Sequence, residues 1–352
     1  MGSEIGSKKT SDQFNLAIVG AGLITQNAHL PTALSLPGVK VRALVDPVLA
    51  RAQGLAQTYG LKILIAASVE EVIGKVDGAI VATPNHTHRA VAVPLLEAGI
   101  STFIEKPLAT TVEDGQAILE AAKRGKAKIA IGHYQRFLDA PRLLKRLLDD
   151  RYFGHVSRFC HQFGTPGGWP ALSAYTLKRE FIGGGVLVVT GTHFLDRLLN
   201  VWGDPDTVSL LDDSFGGPET HCEGRVHYEA GPFAPLEGLV RYSKSVALPA
   251  GLVLDTERGT VMLRDGFDDK IMLIPKDRTD LKLQIIGTPD GTFAPELNPG
   301  QRMLWDFVTA CRDDRAPEVN GEQGLASLKL VRRFYESRHR ITDDWTSFEV
   351  AA

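Results

Sequence analysis

The chain has 352 residues, 43% of them hydrophobic and 23% charged, with a formal net charge of -3, enough to bury a substantial core and to form two domains. Basic residues are scattered rather than striped, which argues against a polyanion surface and a nucleic-acid partner. No apolar run approaches the roughly 20 residues of a membrane span, the polar start lacks the hydrophobic centre of a signal peptide, and three widely spaced cysteines (Cys160, Cys222, Cys311) argue against a disulfide framework or zinc knuckle; a reducing, cytoplasmic setting is expected.

In chain order, residues 1–13 read as a disordered tail. Short β-branched runs then alternate with helical stretches: strands at 16–19, 39–45, 62–65 and 78–82, one leading into Glu105, and one at 128–132, with helices at 24–36, 48–59, 69–73, 88–98 and 112–124. This alternation predicts βαβ units and a doubly wound parallel sheet, an α/β domain of Rossmann type over 14–134. From His155 the texture changes to successive strand-like segments at 155–163, 207–211, 219–228, 237–246, 251–254, 260–264 and 270–274. They predict one large, mostly antiparallel open sheet. With helices at 140–149, 185–202, 301–312 and 321–339, residues 135–352 form a predicted α+β domain for substrate binding and oligomerisation.

The loop Gly20-Ala21-Gly22-Leu23-Ile24-Thr25 follows the first strand and opens the first helix, the context of a dinucleotide site. Gly20 permits the tight turn and Gly22 a close backbone approach to pyrophosphate at the helix N-terminus, with Leu23 and Ile24 beside it. Thr25 stands where a third glycine is usual, so either helix and strand sit farther apart or its hydroxyl contacts phosphate. Asp46 closes the second strand, where a carboxylate accepts from a ribose diol and repels a 2′-phosphate, favouring NAD over NADP; Arg42 and Arg51 lie close enough in sequence to bear on that preference. The fourth strand ends in Thr83-Pro84-Asn85-His86-Thr87-His88, placing Thr83, Pro84, Asn85 and His88 at the cofactor crevice. A metal reading of His86 and His88 lacks a third ligand, so no metal is expected.

Glu105-Lys106-Pro107 puts an ammonium at the end of the apolar run 100–104. Desolvation pushes such a group toward its neutral form, and beside a redox cofactor it can hold or pass the proton that accompanies a hydride. His133 and Arg136 follow the last strand of the first domain, where a substrate pocket is expected at the domain junction. Thr165-Pro166-Gly167-Gly168-Trp169-Pro170 is a rigid aromatic loop suited to stacking on a sugar face. Tyr175, Lys178 and Arg179 follow it, the two cations suiting a substrate phosphate or carboxylate.

Taken together, the glycine loop, Thr83-Pro84-Asn85 with His88, and Glu105-Lys106-Pro107-Leu108-Ala109 resemble the Gfo/Idh/MocA oxidoreductases, named for glucose-fructose oxidoreductase and inositol dehydrogenase. The resemblance continues through Gly132-His133 with Arg136-Phe137, Gly183-Gly184-Gly185-Val186-Leu187 with Gly191, His193 and Asp196, and Asp306-Phe307 with Gly321-Glu322-Gln323-Gly324. It implies hydride exchange between a nicotinamide and a carbinol carbon of a sugar, cyclitol or nucleotide sugar, with dimers or tetramers formed through the open sheet. It also implies that Lys106 sits beside the reacting oxygen, and that His193 belongs to an Asp-x-x-x-His acid/base pair. Val189 occupies the position of that aspartate. His193 must then act alone or with another partner, for which Thr190, Thr192 and Tyr175 stand nearby, Tyr175 being itself a possible acid or base. Two other readings stay open: redox-neutral elimination or hydrolysis through a transient keto-sugar with recycled NAD, and a cofactor-binding regulator without catalysis.

Overall fold

The computed structural model describes residues 13–167, 177–266, 270–287 and 291–341; the predicted tail, Trp169 and Tyr175 lie outside them. Six parallel strands form the first sheet: β1 (Phe14–Val19), β2 (Val39–Val45), β3 (Leu64–Ala66), β4 (Gly78–Val81), β5 (Ser101–Ile104) and β6 (Ile129–Ile131), in the order β3-β2-β1-β4-β5-β6. Strand order reverses between β1 and β4, and the carboxyl ends there open a crevice. The strands are near-continuous apolar runs because both faces are covered. Helices α1 (Leu30–Ser35), α2 (Leu49–Thr58), α3 (His88–Glu97) and α4 (Val112–Gly125) supply the connections. Helix α4 starts at Thr111, whose side chain accepts from the Asp114 N–H at 3.1 Å, and it buries Ile118, Leu119, Ala121 and Ala122.

The second sheet has nine strands: β7 (Val156–Gly164), β8 (Thr207–Asp212), β9 (His221–Tyr228), β10 (Leu236–Ser243), β11 (Leu248–Thr256), β12 (Gly259–Arg264), β13 (Lys270–Pro275), β14 (Leu283–Ile286) and β15 (Arg338–Arg340). Their order is β14-β13-β12-β11-β7-β10-β9-β8-β15. Only β7/β10 and β8/β15 pair in parallel. Alternate residues of β9 (Cys222, Gly224, Val226, Tyr228) are buried, the period of a strand with one covered face. The remaining helices are α5 (Asp139–Asp149), α6 (Arg179–Ile182), α7 (Thr192–Trp202), α8 (Pro299–Arg312) and α9 (Gly321–Glu336).

The end of the chain returns to the first sheet: Met303, Leu304, Phe307 and Val308 of α8 join its core, and α9 gives Leu328 to that core and Leu330, Val331 and Phe334 to the second. Three predicted elements differ. The helix expected over 321–339 stops at Glu336, and Arg338–Arg340 forms β15 against β8. The helix expected over 185–202 begins with a π turn, Leu187–Gly191, and that over 24–36 with another, Thr25–His29. Strand β14 was not predicted; its short, exposed edge position carries almost no alternation to read. No helix among the described residues is long and apolar enough to cross a membrane.

Candidate active site

The first loop is shaped for an anionic ligand. Gly20 has φ +99°, and a Cβ there would lie 2.5 Å from the Ala82 carbonyl oxygen, so β1 and β4 close up only around glycine. Around Gly22 the space that a Cβ would enter is open, leaving its backbone free for a pyrophosphate to approach. The fully buried Thr25 hydroxyl donates to the Gly20 carbonyl at 2.5 Å. It fastens the turn from inside and does not face phosphate. The Asp46 carboxylate accepts from the Ala21 N–H at 2.9 Å and the Val48 N–H at 2.8 Å, which aims it along the loop with lone pairs left for ribose hydroxyls. Arg42 and Arg51 are both exposed, and Arg42 donates to Asn15 at 2.6 Å. These residues fit a dinucleotide. Asp46→Ser is expected to weaken NAD binding by about tenfold or more while narrowing the preference over NADP, measured by fluorescence titration with NADH and NADPH; an unchanged preference would remove Asp46 from cofactor choice.

At the end of β4, the Asn85 side chain donates to the Ile182 carbonyl at 3.0 Å, tying the crevice to α6. His86 stacks on Phe181 with ring centroids 4.5 Å apart. His88, expected to line the crevice, is instead wholly buried, its nitrogens 2.9 Å from the Thr83 carbonyl and 3.0 Å from that of Pro107. It holds the end of β4 to the Lys106-Pro107 turn. Burial keeps its pKa below the usual imidazole range, against the pull of both carbonyls and Glu105.

Lys106 follows β5. Its ammonium donates to the Val189 carbonyl of the π turn at 2.8 Å, so a main-chain dipole stands where the sequence pattern led us to expect a carboxylate. Burial lowers the Lys106 pKa; Glu105 opposes the shift and Lys244 adds to it. Burial pushes the Glu105 carboxyl up, but the His29 hydrogen bond at 2.8 Å, the Lys106 charge and the Lys106 N–H together hold it below the usual carboxylate range.

His193 lies one turn beyond Val189. Burial drives its pKa well below that of free imidazole, and Lys106, His133 and Arg197 push the same way. Its Nδ1 is buried without a partner, as is that of His133. The two rings meet edge to face at 6.2 Å, and Tyr134 meets His193 at 5.0 Å. His133 is likewise held below its usual pKa by burial, with Asp196 opposing. Among the described residues no carboxylate hydrogen-bonds to either imidazole.

Four residues expected at the substrate are engaged elsewhere. Arg136 is buried and donates in a fork to Asp196, Nε to Oδ2 at 2.6 Å and Nη2 to Oδ1 at 2.9 Å, so it fastens α7 to the turn after β6. Asp196 is thereby taken from His193 and Arg197. Arg197 reaches Gln135 (3.1 Å) and Asp265 (3.4 Å), and Asp265 also holds His161 at 2.7 Å. Thr192 is buried and its hydroxyl donates to the Val188 carbonyl at 2.8 Å. Arg179 lies over the Tyr335 ring at 5.0 Å and Lys178 over Phe181 at 5.1 Å. Sequence spacing could not show the pairings of Arg136, Arg197 and Arg179, whose partners lie far away in the chain. His133 and Thr192 also wall an adjoining cavity of about 370 Å3 between residues 107–113, Ile182 and α9; neither Lys106 nor His193 lines it.

A reversed parallel sheet, an open glycine turn, an aimed Asp46 and a partly buried lysine after β5 define a nicotinamide-dependent oxidoreductase of the Rossmann class. The family model described as "Oxidoreductase family, NAD-binding Rossmann fold" matches residues 14–133, so over this part the chain is similar to the Gfo/Idh/MocA family. It is 29% identical to the rhizopine catabolism protein MocA of Rhizobium meliloti, covering 91% of this chain and 93% of that protein. It is 28% identical to D-glucoside 3-dehydrogenase of Escherichia coli (strain K12), covering 94% and 97%. The fold is that of the aldose-aldose oxidoreductase from Caulobacter crescentus crystallised with glycerol, with a TM-score of 0.81, 22% identity and coverage of 92% and 97%.

Proposed function

We propose that the protein transfers hydride between NAD and a secondary hydroxyl or ketone of a sugar-like substrate, with Lys106 as its acid/base. The observation that carries this reading is the partly buried Lys106 ammonium, held at 2.8 Å by the Val189 carbonyl beside His193. The similarity to a protein named D-glucoside 3-dehydrogenase supports the substrate class.

The bound nicotinamide supplies the hydride acceptor for oxidation and the donor for reduction. In oxidation the neutral Lys106 amine takes the proton of the substrate hydroxyl; in reduction its ammonium returns it. A carbonyl dipole stabilises the ammonium less than a full carboxylate would, so the lowered pKa leaves more amine available near neutral pH. His193 acts as a neutral imidazole. A proton on its sealed Nδ1 would be a stranded donor, so the proton sits on Nε2, which donates to the substrate oxygen and steadies it.

Purified protein with NAD and a panel of sugars, cyclitols and keto-sugars is expected to change absorbance at the reduced-nicotinamide band. Product formation without net absorbance change would point to the redox-neutral route, and cofactor binding without turnover would overturn catalysis.

Val189→Asp separates the roles of the two groups. A carboxylate one turn before His193 would raise the proton affinity of both Lys106 and His193. The rising limb of the oxidation rate is expected to move to higher pH and a second ionisation to appear; an unchanged profile would mean that neither group titrates in catalysis.

A further inference from the structure

We infer that Lys244 forms a second cationic wall of the site and that the substrate is a sugar carrying a carboxylate or phosphate, an inference that rests on the dehydrogenase reading above. Lys244 follows β10, beside the end of β7, where the two strands pair in parallel with Ser243 opposite Gly164. Its backbone is fixed on both sides: its N–H donates to the Thr220 carbonyl at 2.7 Å, and its carbonyl accepts from the Gly167 N–H at 2.9 Å. The segment held this way leads directly into the candidate substrate loop, residues 168–176.

The same corner adjoins the helix that carries Val189 and His193. Next to Thr220, the Glu219 carbonyl accepts from the Val186 N–H at 2.9 Å, and Gly191 lies against Tyr242 of β10, where a Cβ would come within 2.8 Å of the ring. Lys106 reaches the π turn between these two points. Lys106 and the Lys244 backbone therefore flank one helix start. The Lys244 charge is felt at Lys106, where it adds to the lowering of the proton affinity.

Among the described residues no carboxylate hydrogen-bonds to either ammonium; Glu105 acts on Lys106 and Glu219 on Lys244 only through space. The half-buried Lys244 ammonium has no hydrogen-bond or ion-pair partner among the described residues. Glu105 is taken by His29. Oε1 of Glu219 accepts from the N–H groups of Gly185 and Leu187 and from the Tyr335 hydroxyl, while its Oε2 is buried without a partner, so Lys244 does not reach it. A half-buried ammonium without a hydrogen-bonded counter-charge costs stability, and an anionic ligand group supplies what is missing. Lys178 and Arg179, the cations expected from sequence to take that role, instead lie over aromatic rings.

The test uses the NAD-loaded full chain with glucose, glucuronate and glucose 6-phosphate, and with galactose and galacturonate. Turnover and calorimetric binding are measured in parallel. The anionic member of a pair is expected to exceed its neutral parent by about tenfold or more in kcat/KM or affinity, with the ratio falling as salt is added. Lys244→Gln is expected to collapse that ratio. Whichever anion wins identifies the group as carboxylate or phosphate. Turnover without charge preference, or a preference that survives Lys244→Gln, overturns the anion site and leaves the dehydrogenase reading standing. Preferential anion binding without turnover on any sugar does the reverse, and neither binding preference nor turnover overturns both.

Discussion

Lys106→Ala is expected to lower turnover between about a hundredfold and ten-thousandfold, the range of a lost general acid/base, while NADH titration shows nearly unchanged binding. The lysine is placed for chemistry rather than for packing. Its side chain is partly buried, its proton affinity is lowered by desolvation, and its one acceptor at 2.8 Å is the Val189 carbonyl. A lysine needed only for structure would lose stability on truncation with little change in rate per folded molecule. Lys106→Arg is informative for the opposite reason, since a guanidinium keeps charge and donors yet does not release its proton in the working range. It is expected to fail almost as badly. Wild-type turnover in either variant would sink the assignment of Lys106.

Asp196→Ala is expected to cost about 3–5 kcal/mol of stability, the penalty for leaving a buried charge unpaired. Both members of the Arg136–Asp196 pair are shut away from solvent, with side-chain exposures of 6% and 1%, and the fork is bidentate. Removing the carboxylate strands a guanidinium between α7 and the turn after β6. Urea denaturation measures the loss. Replacing both partners by apolar residues, Arg136→Met with Asp196→Leu, is expected to recover much of it, because no charge is then left unpaired. If Asp196→Ala matches the wild type, the pair does not hold the two sheets' elements together, and Arg136 is free to serve the substrate after all.

Much of the fold was legible because the first sheet is buried on both faces and so consists of short β-branched runs; β2 was placed at its observed bounds, Val39–Val45. The second sheet was read from alternation, which fails where a strand is short and polar, as in Arg338–Arg340, or lies exposed at an edge, as in Leu283–Ile286. Within the site, local chemistry was readable and long-range pairing was not. Gly20, Asp46 and Lys106 announce themselves through residue type at a strand end. Arg136 looked like a substrate ligand because Asp196, its partner 60 residues away, leaves no local trace. The replacement of a carboxylate at Val189 was visible, but that a π-turn carbonyl takes the ammonium depends on backbone geometry that residue identity does not encode. Lys244 belongs to no motif, and its significance comes from what surrounds it in space.

The most direct test of the account is the pH dependence of sugar oxidation under kcat/KM conditions, compared between the wild type and Lys106→Ala. Because burial lowers the Lys106 pKa and the neutral amine is the base, the wild-type rate is expected to rise through a single ionisation below the ordinary lysine value and then level off. His193, held neutral across that range, adds no second limb. In Lys106→Ala the residual rate is expected to lose this limb. A limb that persists at the same pH in the variant would contradict the central claim that Lys106 carries the proton.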